Sequence, residues 1–252
     1  MSSGCLQENE VQAFLGLARE FGPPIGEWLM HVLAESEQTR VRRPLARTIA
    51  ELLADRPEVL SAWAQDKRWY VVRNVVHILG WIGGERIVSQ LEAVAAHPEP
   101  RVRHEVVAAL HEAQRDRARP ILVSMLPAAE PKLFGTILHQ LGADFDPSVT
   151  ALLLGLLADE GFSARSTEER RAVFIALATR GDAVVPALEA ALNEGGLFSR
   201  RAEPDRPAIA LCLARIGTPT ARGTLERGLK SSRAVIRKAC VIAGASGETK
   251  HE

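Results

Sequence analysis

The chain has 252 residues, 46% of them hydrophobic and 25% charged, so it can bury a sizeable core and is too apolar to be disordered. Its 31 basic and 31 acidic side chains cancel, which excludes a molecule built as a whole to hold polyanions. Cys5, Cys212 and Cys240 are too few and too scattered for a disulfide framework or a zinc site, and no apolar run approaches the ~18 residues of a membrane span.

Met1 to Glu10 has neither the basic nor the apolar region of a secretory signal, so the expected location is a reducing cytoplasm. The charge is unevenly spread. Residues 1–40 carry two basic and six acidic side chains, whereas residues 198–252 carry eleven and five.

In chain order, residues 5–21 read as a helix with Val11, Phe14, Leu15 and Ala18 on one face, stopped by Gly22-Pro23-Pro24. Residues 24–36 form a second helix, with Ile25, Trp28, Leu29, Val32 and Leu33 on the buried side. A rhythm of helix, turn and helix follows. Its clearest stretch is Trp69 to Gly83, an amphipathic helix stopped by glycine. Apolar anchors late in the second helix of each pair fall at Ile49, Leu79, Leu110, Leu138, Leu177, Leu213 and Ala243, in steps of 28 to 39 residues. Four residues on stands Gly83, Gly142, Gly181, Gly217 or Gly247, as expected where a helix ends in a left-handed residue. Seven residues before the anchor stands Arg42, Arg103, Arg170 or Arg206.

The first helices are read at 57–65, 84–96, 117–128, 147–159, 182–193 and 219–230. Pro57, Pro147 and Pro219 open three of them, where the missing N–H has no bond to lose. Two longer loops, 159–167 and 193–205, look like copies of one enlargement, with Phe162-Ser163-Ala164-Arg165 matching Phe198-Ser199-Arg200-Arg201. Residues 246–252 read as a flexible tail. One helical hairpin per period of about 30 residues predicts a single all-α domain, a right-handed α-solenoid of about seven hairpins plus an N-terminal helix.

Pro100 to Leu110 and the 69–83 stretch resemble HEAT repeats of the short bacterial type, often grouped with the phycobilin-lyase HEAT-like repeats. The resemblance covers residues 24–245. It implies first helices on a convex side, second helices on a concave side, and arginines at the Arg42, Arg103, Arg170 and Arg206 position bonding to neighbouring units. Arg73 stands one place later in its unit.

His104-Glu105 is similar to one His-Glu pair of deoxyhypusine hydroxylase, a HEAT-like di-iron enzyme. The equivalent positions of the other units hold no ligand pair, so neither metal nor cofactor is expected. HEAT-like alkylpurine DNA glycosylases use tryptophans and an aspartate in a basic groove. Trp63, Trp69, Trp81 and Asp66 imitate that set, but a neutral chain lacks the field to hold phosphates. Phycobilin-lyase activity would rest on the repeat type alone. No nucleophile or acid–base motif occurs in a recognised context.

The expected function is therefore a non-catalytic scaffold that binds another protein, an acidic one by the charge of its loops. Trp81 is the leading contact, because it stands where other units carry Glu112, Gln140, Thr179 and Arg215. Asn74, His77 and His111 accompany it on second helices. Phe162, Arg165, Phe198, Arg200 and Arg201 form the second candidate surface. Each phenylalanine there is read either as a docking residue or as a plug folded into its own repeat.

Overall fold

The computed structural model describes residues 8–36, 39–111, 113, 115–194 and 205–248. They form helices α1 (Glu8–Phe21), α2 (Pro23–Glu35), α3 (Thr39–Leu52), α4 (Trp69–Ile82), α5 (Val88–Val94), α6 (Pro100–Leu110) and α7 (Arg115–Met125). There follow α8 (Pro131–Gly142), α9 (Pro147–Ala158), α10 (Thr167–Ala178), α11 (Val185–Asn193), α12 (Arg206–Ile216), α13 (Pro219–Leu229) and α14 (Ala234–Glu248). No strand occurs among the described residues, and no helix among them is long and apolar enough to cross a membrane.

The chain divides into two compact units, residues 1–127 and 128–252. In the first, α2 pairs with α3, and α5 with α6. The partner of α4 is a pair of 3-10 turns, Pro57–Ser61 and Trp63–Gln65, where the periodicity predicts one helix. Their i→i+3 bonds, such as Val59 N–H to the Arg56 carbonyl, wind the nine residues more tightly than an α-helix. The second helices α3, α4 and α6 stack in order, with α7 closing the unit's chain. In the second unit α8, α10, α12 and α14 stack in order, and α9, α11 and α13 pair with the last three. Each unit is thus a short run of α-solenoid.

The stack is held by the anchors. Ile49, Leu79, Leu110, Leu138, Leu177, Leu213 and Ala243 are all 2% exposed or less. Burying a leucine or isoleucine contributes about 1.5–3 kcal/mol, so the periodic anchor is the main reason that the helices stack in this register. Where helices must approach closely, the side chain disappears instead. A Cβ on Gly80 would lie 3.1 Å from Ala109 Cβ, which brings α4 against α6. A Cβ on Gly228 would lie in hard overlap with Cys240 Sγ, which brings α13 against α14.

Two readings of the repeat are corrected. Gly83, Gly181 and Gly217 have φ of 66°, 61° and 66°, as a helix-ending glycine should. Gly142 and Gly247, by contrast, lie inside α8 and α14. The periodic arginines mostly act within their own hairpin. Arg42 Nε donates to the Ser36 carbonyl (2.8 Å), and Arg103 Nη1 donates to the His97 and Pro98 carbonyls (both 2.9 Å). Arg206 Nη2 donates to the Glu194 carbonyl (2.8 Å). These oxygens lie at or just after the first helix, where backbone acceptors are left over and a cation is favoured by the helix dipole. Arg237, one place off the periodic register, does the same for Ser231 and Ser232. Arg170 reaches a neighbouring unit, through Asp205 at 2.7 Å.

Candidate functional site

The first unit places Arg73, His77 and Trp81 on α4, at spacings of four residues, so they share one helix face. Glu105 of α6 faces them. His77 Nδ1 lies 2.6 Å from Glu105 Oε1, and Arg73 Nε donates to Oε2 at 3.0 Å. Burial opposes the charge on Glu105. The hydrogen bonds and positive charge of His77 and Arg73 nonetheless hold its carboxyl below the usual carboxylate value. An ionised carboxylate only accepts, so His77 Nδ1 carries the proton and donates. Its Nε2 has no partner among the described residues. The His77 ring meets Trp81 in a T-shaped contact with centroids 4.3 Å apart.

These contacts make a rigid chain from α6 to the indole. Glu105 orients His77, and His77 supports one side of Trp81. Trp81 keeps 39% of its surface exposed. Gly83 ends α4 immediately beyond it, its N–H donating to the Leu79 carbonyl at 2.9 Å. The arginine shifted by one place, Arg73, is what reaches Glu105, so the displaced register has a structural purpose. Glu105 and Gly80 went unrecognised as supports of this surface. For Gly80 the signal was present in the neighbouring positions, because a glycine between Leu79 and Trp81 interrupts an apolar stretch.

Of the other expected residues, Asn74 is half-buried on α4, next to Arg73. His111 is exposed at the C-terminal cap of α6, more than a turn beyond Glu105. Phe162 is 6% exposed and packs edge-to-face on Phe174 at 5.7 Å, which is the geometry of a plug. Arg165, expected to remain exposed, lies half-buried with its guanidinium over the Phe134 ring at 5.0 Å and Glu169 at 3.5 Å. A large ring and a long cation both gain from covering apolar surface, so the loop turns them inward. Phe198, Arg200 and Arg201 lie outside the described residues.

The residues that imitate a lesion-DNA site are otherwise engaged. Arg68 donates to both Asp66 oxygens (3.0 Å each), and this hydrogen bonding holds the Asp66 carboxyl below its usual value. Trp69 lies under the Arg101 guanidinium at 4.9 Å, and Trp63 meets His31 edge-on at 4.6 Å. Both oxygens of Glu105 are occupied, and no group of three His, Cys, Asp or Glu side chains placed to hold a metal occurs among the described residues.

Residues 26–110 match the family of HEAT repeats. No curated protein matches the sequence. Among solved structures, the chain is similar to an engineered protein from a structural genomics consortium, with 16% identity over 88% of this chain and 68% of that one, at a TM-score of 0.39. It is also similar to human deoxyhypusine hydroxylase in complex with glycerol, with 19% identity over 93% of this chain and 100% of that one, at a TM-score of 0.37. Likenesses this loose say nothing of activity.

Proposed function

We propose that this chain, a HEAT-repeat protein by its match over residues 26–110, is a non-catalytic scaffold that binds a partner protein on the second-helix surface around Trp81. The observation that carries the reading is the exposed indole on a fixed support. Most exposed side chains pay an entropic cost when a partner immobilises them, whereas Trp81 is already braced by His77, Glu105 and Arg73. A pre-positioned tryptophan is the commonest kind of binding hot spot. The open Nε2 of His77 adds a polar contact beside it.

The test uses the full chain as bait in the native extract, comparing Trp81→Ala with Trp28→Ala, a second tryptophan that is exposed elsewhere, on α2. A hot spot removed costs about 2 kcal/mol or more, a loss of roughly thirtyfold in affinity. Partner capture should collapse for Trp81→Ala and persist for Trp28→Ala. Equal capture by both variants removes Trp81 from the interface. For the nucleic-acid alternative, a shift assay with DNA and RNA at moderate salt decides, since binding there requires another account of the surface.

A further inference from the structure

In the second unit, the register position that His77 holds in α4 has a composition of its own. The residue two places before the anchor is solvent-facing along the second helices. In α3, α4, α6 and α8 it is Arg47, His77, Ala108 and Thr136. In α10, α12 and α14 it becomes Ile175, Leu211 and Val241, which are 38%, 39% and 58% exposed. An isolated exposed leucine needs no explanation. Three at one register position on three helices stacked in succession form a continuous apolar row, and that does.

The charges beside the row are mainly cationic, with Glu168 at the N-terminal end of the same face of α10. Arg171, Arg215 and Lys238 are exposed on the same three helices, and no salt bridge engages them among the described residues. The acidic side chains of α10 and α12 are Glu168 and Glu169, both in the first turn of α10. Glu169 is already committed to Ser166 and Arg165 as half of a capping box. Glu248 is the last residue of α14, and the other acidic groups among the described residues of this unit sit on first helices and turns, for example Glu189 and Glu226, with Glu189 paired to Arg227.

We infer that the row Ile175, Leu211 and Val241 with its flanking cations is a docking surface for an acidic protein segment that carries apolar side chains at regular intervals. Charge complementarity selects the occupant: an anionic segment meets Arg171, Arg215 and Lys238, while a basic one is repelled from all three. Adjacent packed helices lie about 8–10 Å apart, which fixes the spacing of the row. A polyproline II segment rises about 3.1 Å per residue with about three residues per turn, and matches it with every third side chain. A helix rises about 1.5 Å per residue and matches it with about every seventh, which returns to the same face. This surface does not depend on Trp81, and the two fail separately.

The test is selection of a random peptide phage library on the full chain, followed by affinity measurements with the selected peptides. The expected peptides are rich in Asp and Glu, with apolar residues at one of those intervals. Their affinity should fall at least tenfold with Leu211→Gln and with Arg171→Glu/Arg215→Glu, fall as salt rises, and be unchanged by Trp81→Ala. Circular dichroism confirms that each variant folds, and the charge variant stands alone if the leucine variant does not. Neutral or basic selected peptides, no enrichment, or affinities indifferent to both variants overturn the assignment. So does binding of duplex DNA or phosphatidylserine vesicles through these residues in place of peptides.

Discussion

Gly228→Ala adds a single methyl group where α13 meets α14. The new Cβ would lie in hard overlap with Cys240 Sγ, with Ile236 Cγ2 at 3.6 Å and Cys240 Cβ at 3.7 Å. Favourable contacts between such atoms begin at about 3.5 Å, so the overlap is with sulfur, while the other two contacts are ordinary. Cys240 is 2% exposed, which leaves its sulfur little room to turn away. Overpacking of this kind costs about 1–3 kcal/mol, against a gain of at most about 1 kcal/mol for replacing glycine in a helix. The expected net loss is about 1–2 kcal/mol in urea or thermal unfolding. In a Cys240→Ala background the sulfur is gone, and the same substitution should become neutral or stabilising by up to about 1 kcal/mol. The two sites should therefore couple by about 2 kcal/mol in a double-mutant cycle. Equal losses in both backgrounds, or a gain in the wild-type background, would show that the helices are not held at this distance by the missing side chain.

The Glu105 junction gives a pH-dependent prediction. Its folded carboxyl titrates below its ordinary value of 4.5, so its contribution to stability is present above about pH 4.5 and is lost as pH falls through the lower folded value. Glu105→Gln should cost about 1–3 kcal/mol at pH 7 and flatten that acid limb of the stability profile, and an unchanged limb would contradict the assignment. Burial pushes the Cys212 thiol up to about 12 and raises that of Cys240, so neither peptide should be labelled by maleimide at pH 8 except at the rate of local opening. Rapid labelling of the native chain, mapped by mass spectrometry, would show these sites to be accessible. Trp81→Ala should cost about 0.5–1.5 kcal/mol of unfolding stability, the worth of the edge-to-face contact with His77 that it removes. A larger loss would recast it as a packing residue.

Much of the repeat was legible because its signals are local. Anchors spaced one hairpin apart mark the stacked helices, and Asp146-Pro147 and Thr218-Pro219 start helices where side-chain caps do form. What escaped the sequence was the side chains' choice among partners. Phe162 is equally able to plug or to dock, and only the presence of Phe174 across the hairpin decides it. Arg103 and Arg170 occupy the same register position, but Asp205 exists to receive only the second. The Trp81 support is distributed over two helices, so Glu105, legible in sequence as half of a His-Glu pair, could not be read as the partner of His77 and Arg73. The apolar row at Ile175, Leu211 and Val241 was hidden for a related reason. Each residue alone fits an apolar helix, and it is their shared exposure that gives them meaning.

The arginines that close the first helix of their own hairpin have a consequence for how such a chain can change length. Arg42, Arg103 and Arg237 each carry their acceptor within about six residues, so a hairpin duplicated or deleted as a block takes both halves of the bond with it. The new junction then has to match only in its apolar anchors, which are alike from unit to unit. Bonds such as Arg73 to Glu105 and Arg170 to Asp205 behave oppositely, since they are severed whenever a hairpin is inserted between them. Such junctions, Arg68 to Glu35 and Arg227 to Glu189 among them, are places where the order of the repeats is recorded, and where an insertion would cost a charged pair as well as a change of neighbours.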